Sequence, residues 1–231
     1  DKNLAITAKD NIFTKEGTNL STKADGRLKA RTVGFGGEVH ADGTLTIETD
    51  EQLAAKNITS GGNATLNAGT DLFANNVNVN GDASIVAGTQ LTAHDVSVGG
   101  DLNAQANEDI DANNITSKGK ATLTAQTAIQ TDGSIRSDAE AVLTAKDITI
   151  GGAFSAHSAQ LTADENATLG GKTEVGETLM AHVGKDFMAN AEVLSHGTTT
   201  IEAQNVNLNA DLMSDKNLAI TAKDNIFTKE G

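Results

Sequence analysis

Apolar residues recur at every nineteenth position along this chain, most regularly between residues 45 and 131. Five columns keep this spacing, and nearly all of their members are Leu, Ile, Val or Ala. They are Ile47, Leu66, Ile85, Ala104 and Leu123; Thr49, Ala68, Ala87, Ala106 and Ala125; Leu53, Leu72, Leu91, Ile110 and Ile129; Ala55, Ala74, Ala93, Ala112 and Thr131; and Ile58, Val77, Val96 and Ile115. A repeat this short indicates a stack of similar units that bury their apolar side chains against one another.

Each repeat is divided into short strands. Leu66 and Ala68 flank the polar Asn67, and the alternation returns at Leu72 and Ala74. A period of two residues is typical of β-strands, whereas a repeat of about 19 residues is too short for a two-helix unit and for a propeller blade of roughly 40 residues. The sequence therefore predicts an all-β chain folded as a parallel β-helix (β-solenoid) with three strands per coil. Divided by a repeat of roughly 19 residues, the length of 231 residues gives about 12 coils.

Two further columns with the same spacing mark the corners of the predicted coils. One holds Gly, and the other holds Asn or Asp directly before a β-branched residue. They are Gly62, Gly81, Gly100 and Gly119, and Asn57, Asn76, Asp95 and Asn114. These residue types tolerate the left-handed backbone of a sharp bend, and stacked Asn side chains can hydrogen-bond along the column. A metal or ligand site is the alternative, but one carboxylate among four residues favours structural turns.

The chain is predicted to be a single solenoid segment covering 1–231. Regular coils occupy about 45–131, and the repeat is less regular at 13–44, 133–141 and 170–186, where we expect loops to bulge or the register to shift. No Pro/Ser-rich linker and no block of charge divides the chain into domains.

A longer repeat is superimposed on the short one. Residues 1–17 recur without change at 215–231, so that Asp215 corresponds to Asp1 at an offset of 214 positions. Packing alone would accept Ile for Leu, so this identity indicates a recent duplication, or a chain cut to contain one long unit and its overlap. In either case we expect the natural chain to continue in both directions.

Four phrases of the sequence resemble the repeat of filamentous haemagglutinins. They are ATLNAGTDL at 64–72, ATLTAQ at 121–126, VLTAKDI at 142–148 and LAITAKDNI at 4–12. Each phrase alone is unspecific, and it is their recurrence at one period that is specific. The resemblance covers nearly the whole chain and is weakest at 13–44 and 170–186. The family comprises exoproteins of two-partner secretion systems, including adhesins and the stalks of contact-dependent inhibition toxins.

The resemblance implies a right-handed parallel β-helix in a rod that projects from the bacterial surface. It also implies export through an outer-membrane transporter partner, and hence a secreted or outer-membrane-associated location. The family's secretion domain carries Asn-Pro motifs, and this chain has no Pro. A toxin tip is likewise not recognisable, so we expect a segment of the shaft.

The charge of the chain argues against two classes of partner. The formal net charge is −14, and phosphates of nucleic acid or of an anionic membrane surface would repel it. No apolar run approaches the roughly 20 residues of a membrane span. We therefore expect no nucleic-acid partner and no membrane insertion. The chain has no Cys, so its stability must come from elsewhere, for instance a continuous backbone ladder.

The repeated positions do not form a pattern that predicts a catalytic or metal-binding site. Enzymes built on β-helices need converging acids on adjacent coils, and here we expect the acids not to stack, because Asp71 aligns with Gln90 and Asp109 with Ala128. No Gly-Gly pair begins a Gly-Gly-x-Gly-x-Asp calcium motif. The histidines are scattered without zinc-binding spacing, at His40, His94, His157, His182 and His196. We predict no catalytic, cofactor-binding or metal-binding residue, no cofactor, and a protein that is not an enzyme.

Three functions remain in order of preference. The first is a structural shaft that presents distal binding or toxin domains. The second is direct binding to a receptor on a host or neighbouring cell through loops of the irregular C-terminal half. The third is a polysaccharide-active β-helix enzyme. Met180, Met188, Met213, Phe154 and Phe187 are interpreted as core or loop-cap residues, with an exposed receptor patch as the alternative. In an excised fragment, the two open coil ends are expected to promote end-to-end association.

Overall fold

The structure is a computed structural model that describes residues 2–229. About 70% of the chain is strand, and the described residues contain no helix. All the strands join one parallel sheet that winds into a β-solenoid of about 12 coils of about 19 residues each. The predicted all-β solenoid is therefore confirmed.

The strands follow one another along the winding chain. The first twelve are β1 (Leu4–Thr7), β2 (Asn11–Thr14), β3 (Leu20–Thr22), β4 (Gly26–Ala30), β5 (Thr32–Ala41), β6 (Leu45–Thr49), β7 (Leu53–Ser60), β8 (Ala64–Ala68), β9 (Leu72–Val79), β10 (Ala83–Ala87), β11 (Leu91–Val98) and β12 (Leu102–Ala106). The remaining twelve are β13 (Asp109–Ser117), β14 (Ala121–Ala125), β15 (Ala128–Thr131), β16 (Ile135–Ile150), β17 (Phe154–Leu169), β18 (Thr173–Val175), β19 (Leu179–Val183), β20 (Asp186–Ala189), β21 (Val193–Ser195), β22 (Thr199–Leu208), β23 (Leu212–Ser214) and β24 (Leu218–Thr228).

Each coil has three faces. In the coil that starts at Ala64, face 1 is β8, face 2 is the part of β9 up to Asn75, and face 3 is the part of β9 from Val77. Strands on the same face of successive coils pair in parallel, so that Ala64 lies beside Ala83 and Val77 beside Val96. Long strands such as β16 and β17 pass around two corners and contribute to all three faces.

The five apolar columns point inward and form the core. Ile47 pairs with Leu66 and Leu66 with Ile85, and no more than 1% of any of the three is exposed. Because successive side chains of a strand point to opposite faces, the residues between them lie on the surface. The core runs the length of the solenoid and is mostly Leu, Ile, Val and Ala, with Phe154 and Phe187 as its largest fully buried members.

The Asn/Asp column forms the corner between faces 2 and 3. Asn76, Asp95 and Asn114 have φ of 52°, in the left-handed region. The side-chain amide of Asn76 donates to Oδ1 of Asn57 (3.0 Å), and that of Asn114 donates to Oδ1 of Asp95 (2.9 Å). The predicted left-handed backbone is confirmed at Asn76, Asp95 and Asn114 but not at Asn57, and the predicted side-chain hydrogen bonds form within these two pairs.

The Gly column serves a different purpose from the one that the sequence suggested. Gly17 is the only described glycine with a positive φ, so the left-handed conformation is not what the corner between faces 3 and 1 requires. Instead, a methyl group on Gly81, Gly100 or Gly119 would overlap a side-chain oxygen of the previous coil. Glycine is needed there because successive coils approach closely.

The coils are not all of the same length. Leu4 pairs with Gly26, three positions beyond the regular spacing, and Ala121 pairs with Ala141, one position beyond it. Ala141 pairs with Ala159, one position short of the regular spacing. The ladder absorbs these differences at corners and turns, so the stacking of strands continues through them.

The less regular segments belong to the same ladder. Register shifts lie between Phe35 and Glu38 and between Ser137 and Glu140, inside 13–44 and 133–141. Two more shifts, Ala145–Asp147 and Ala203–Asn205, lie outside the segments singled out from the sequence. Segment 170–186 contains strands β18 and β19 and the start of β20, joined by short turns.

Candidate functional site

A shallow groove of about 580 Å³ lies at the corner between faces 3 and 1 over four successive coils. We call it the corner groove, and its polar lining residues are Arg136, Ser137, Asp138, Ser155, His157, Glu174 and His196. Sequence reasoning found no site here, because the contributing residues are 19 or 20 positions apart and differ in type from coil to coil.

The ladder sets the order of side chains along the groove. Ser137, Ala156, Val175 and Ser195 end face 3 in the four coils and stack on one another. The next residue in each coil turns outward, which places Asp138, His157, Gly176 and His196 in one line. Gly176 is the member without a side chain, and the gap that it leaves between the two histidines opens the groove.

Charged groups surround the gap. Arg136 donates to Oδ1 of Asp138 from Nη2 (2.8 Å) and from Nε (3.1 Å). Nε2 of His157 lies 3.6 Å from Oε2 of Glu177. His196 contacts two carboxylates: its Nδ1 lies 2.9 Å from Oδ2 of Asp215, and its Nε2 lies 3.6 Å from Oε1 of Glu174. The two contacts of His196 link three coils.

The carboxylates change the proton affinity of His196. The hydrogen bond with Asp215 is the main cause that raises the pKa of the imidazole above its ordinary value of 6.5, and Glu174 adds a smaller effect in the same direction. A charged imidazolium is favoured because both neighbours are anionic. The groove therefore becomes more positive as the pH falls.

The groove is open to solvent. The side chains of His157, Glu174 and His196 are between 44% and 57% exposed, so their charges are largely screened by water. Ser137 is buried and donates its hydroxyl to backbone carbonyls, so it is not free to act as a nucleophile. Such a groove can accept a polar or charged ligand.

The other histidines lie apart from the corner groove. Nε2 of His40 contacts Oδ1 of Asp42 at 2.6 Å, and His182 contacts Glu202 at 3.1 Å. His94 stacks between Asn75 and Asn113, and its ring meets that of Phe73 edge-on with centroids 6.3 Å apart. Over residues 2–229, no three His, Cys, Asp or Glu side chains converge in a way that could hold a metal ion.

The chain has no match among family models, curated proteins or solved structures. The solenoid fold is compatible with a β-helix repeat protein. Within the described part of the chain, no helix is long and apolar enough to cross a membrane.

Two acids stack where the sequence suggested that none do. Asp82 and Asp101 occupy the same position in successive coils, directly after Gly81 and Gly100. Oδ1 of Asp82 accepts from the backbone N–H of Asp101 (2.9 Å), and Oδ1 of Asp101 accepts from that of Lys120 (2.8 Å). Asp25 and Asn63 make the same bond to the next coil. The expectation that acids do not stack was therefore wrong, and Gly-Asx at the regular spacing was the signal for it.

The Met and Phe residues that were interpreted as core or loop-cap residues are not all buried, and Met188 is only partly buried. Phe154 and Phe187 are fully buried, as the core interpretation requires. Met180 and Met213 are 45% and 44% exposed, so for them the core or loop-cap interpretation was wrong. They lie on different faces, because Met180 belongs to β19 on face 1 and Met213 to β23 on face 3. They do not form one receptor patch.

Proposed function

We propose that this chain is a segment of the structural shaft of a large secreted or surface-anchored bacterial adhesin of the filamentous haemagglutinin type. In this role it holds binding or toxin domains away from the cell surface and carries no catalytic activity of its own. The observation that supports the proposal is the unbroken parallel ladder from β1 to β24, in which every coil pairs with the next.

The dimensions of the ladder suit a spacer. Parallel strands lie about 4.8 Å apart, so 12 coils extend roughly 55 Å along the axis. Backbone hydrogen bonds along this axis connect each coil to its neighbours, and the buried apolar residues form one cluster from Leu28 to Val206. The net charge of −14 helps to keep neighbouring rods apart.

The architecture also suits export of an unfolded chain. Each coil can fold onto the one before it, because its contacts are with its immediate neighbours. We include in the proposal an outer-membrane transporter as the partner during secretion, and a final location outside the cell. Neither nucleic acid nor membrane lipid is part of the proposed role.

An in-register deletion in the full-length protein tests the shaft role. Removing residues 83–101 takes out one complete coil and brings Leu102 beside Ala64, in the place of Ala83. A shaft that is shorter by about 4.8 Å should still be exported and should still present its distal domains. The matched control removes 83–91, which breaks the ladder and should block display. If both deletions abolish display of the distal domains equally, the segment is more than a spacer.

The corner groove supports a second candidate, direct binding to a receptor. Its charged residues lie on four coils of the half in which sequence reasoning placed receptor-binding loops. In that case the purified chain should bind cells saturably. Replacing His157 by Ala and Glu174 by Gln should abolish the binding, whereas His182→Ala, outside the groove, should not. If no saturable binding is found at micromolar chain concentrations, direct receptor binding is excluded and the shaft role is the one that is kept.

A further inference from the structure

The outer surface of face 1 carries no charged side chain over six successive coils. In each of these coils the strand on face 1 has two outward positions, from Thr65 and Asn67 in β8 to Gln160 and Thr162 in β17. All of these positions hold Thr, Ser, Asn, Gln or Val, and all are exposed or half-buried. Because 21% of the chain is charged, this stretch is set apart from the rest of the surface.

Charged side chains return at both ends of this stretch. On the N-terminal side, Lys29 lies in β4 and Glu48 in β6; on the C-terminal side, His182 lies in β19 and Glu202 in β22. The ladder places all four in one outward column, in which Lys29 pairs with Glu48 and His182 with Glu202. Along the rod, this column therefore holds a cation, an anion, six uncharged residues, a histidine and an anion.

This order is complementary to itself when it is reversed. A second copy that is turned end for end, with its strands kept in the same direction, sets Lys29 of each copy opposite Glu202 of the other and Glu48 opposite His182. Nδ1 of His182 already contacts Glu202 at 3.1 Å, so Nε2 is the ring atom that meets Glu48. We propose that face 1 from β4 to β22 is a docking surface for the same face of a second copy of this chain, in antiparallel orientation.

The same charges disfavour a parallel pair. A twofold axis along the rod exchanges the two outward columns, so that Arg27 of one copy faces Lys29 of the other within the same coil. Like charges that face each other across an interface are repulsive. In the antiparallel pair the axis runs between β12 and β14, and each column faces itself. Arg27 then faces Thr200, and no two like charges are opposed.

The C-terminal part of face 1 has room for long side chains of a second copy. A groove of about 350 Å³ lies there, and its lining includes Met180, His182 and Glu202. Met180 is 45% exposed, so its side chain is available for an apolar contact. In the antiparallel pair, Lys29 and Glu48 of the second copy lie over this groove, where their methylene groups can pack beside the thioether.

The area of this face matches that of a stable interface. A strand of 5 residues such as β8 spans about 16 Å, and about ten coils from β4 to β22 extend about 48 Å, so each copy buries roughly 750 Å². Stable protein interfaces bury about 800 Å² per partner. Thr, Asn and Gln side chains both donate and accept hydrogen bonds, so this surface can bond to its own copy. The net charge of −14 opposes contact through the other sides of the solenoid.

The antiparallel orientation suits contact between cells. Rods that are rooted in one cell surface run parallel to one another, whereas rods on two facing cells run antiparallel. The pairing therefore joins rods of neighbouring cells. This role in cell contact rests on the proposed shaft function, but the docking surface itself does not.

Cross-linking of complete chains tests the orientation. The chain has no Cys, so Asn67→Cys in one chain and Thr162→Cys in another introduce one thiol each. In the antiparallel pair these positions are opposite, and a short bismaleimide reagent spans the roughly 10 Å between facing sheets. The control uses Asn67→Cys alone, because its two thiols are then about 24 Å apart along the rod.

We expect the mixture of Asn67→Cys and Thr162→Cys to give a cross-linked dimer at least roughly ten times faster than Asn67→Cys alone. An equal rate for Asn67→Cys alone would indicate parallel or unoriented contact and would overturn the proposal. No dimer at millimolar protein would also overturn it. The shaft proposal survives either result, since it depends on the ladder inside one chain.

Charge exchange tests the ion pairs at the two ends of the interface. Lys29→Glu sets two acids opposite each other at both ends and should slow the cross-linking roughly tenfold. Glu202→Lys in the same chain brings back opposite charges and should restore the rate. Lys56→Glu in β7, away from face 1, changes the net charge by the same amount and is the control. Equal slowing by Lys29→Glu and Lys56→Glu, or no rescue by Glu202→Lys, would contradict the antiparallel pairing.

Discussion

The side-chain amide of Asn114 donates a hydrogen bond of 2.9 Å to the carboxylate of Asp95, and both residues have φ of 52°. They lie at the same corner of successive coils, nineteen positions apart. One residue type thus meets two requirements, because Asn accepts the left-handed backbone and also bonds to the neighbouring coil. The corner between faces 2 and 3 is therefore held by side chains along the axis as well as by backbone.

Replacing Asn114 separates these two contributions. Asn114→Ala loses the bond to a charged acceptor and places a Cβ-bearing residue without a polar side chain in the left-handed region, so we expect a loss of about 2 kcal/mol in the free energy of unfolding. Asn114→Gly loses the bond but relieves the backbone, and should lose about 1 kcal/mol or less. Chemical denaturation of the two variants measures the difference. Equal losses would show that the left-handed conformation costs nothing here.

Glycine at the corner between faces 3 and 1 is predicted to stabilise the chain because it leaves room for the previous coil. A methyl group on Gly100 would overlap Oδ1 of Asp82 and approach the backbone of Gly81. Gly100→Ala should therefore destabilise the chain by about 1–3 kcal/mol, as overpacking does. Gly176→Ala is the control, because a methyl group there comes no closer than 3.3 Å to His157. Thermal unfolding that is lowered equally by both substitutions would contradict this account.

The strictly spaced part of the sequence predicted the structure best. The inward columns and the left-handed corner follow from residue type and a constant period, so positions such as Leu66 and Asn76 could be placed from the sequence. The corner groove could not, because the coil between Gly176 and His196 is one position longer than the regular coil and breaks the spacing. The bond from Asp101 to Asp82 was also missed, since it depends on how closely two backbones approach.

The pairing of His196 with Asp215 predicts a pH-dependent contribution to stability. The pKa of His196 is raised in the folded chain, mainly by this hydrogen bond. The folded chain therefore holds the proton more tightly than the unfolded one. The contribution is present in full below the ordinary pKa of 6.5 and is lost as the pH rises through the raised value.

An NMR titration of the His196 ring measures this effect directly. Asp215→Asn should move the pKa of His196 down toward its ordinary value and remove the corresponding pH dependence of unfolding. Glu177→Gln is the control, since Glu177 contacts His157 and not His196. An unchanged His196 titration in Asp215→Asn would show that the hydrogen bond is not the cause.

Truncation of a core side chain should weaken the solenoid locally. Phe187 is fully buried, and its strand pairs with β17 through Ala167 and with β22 through Val206. Phe187→Ala should cost about 3–5 kcal/mol because it leaves a large cavity. Coils contact only their neighbours, so amide exchange should accelerate around β17, β20 and β22 while β8 to β12 keep their protection.

Phe73→Ala is the control, because Phe73 is 40% exposed, and it should cost about 1 kcal/mol or less. Uniform loss of protection in Phe187→Ala would mean that the twelve coils open as one cooperative unit.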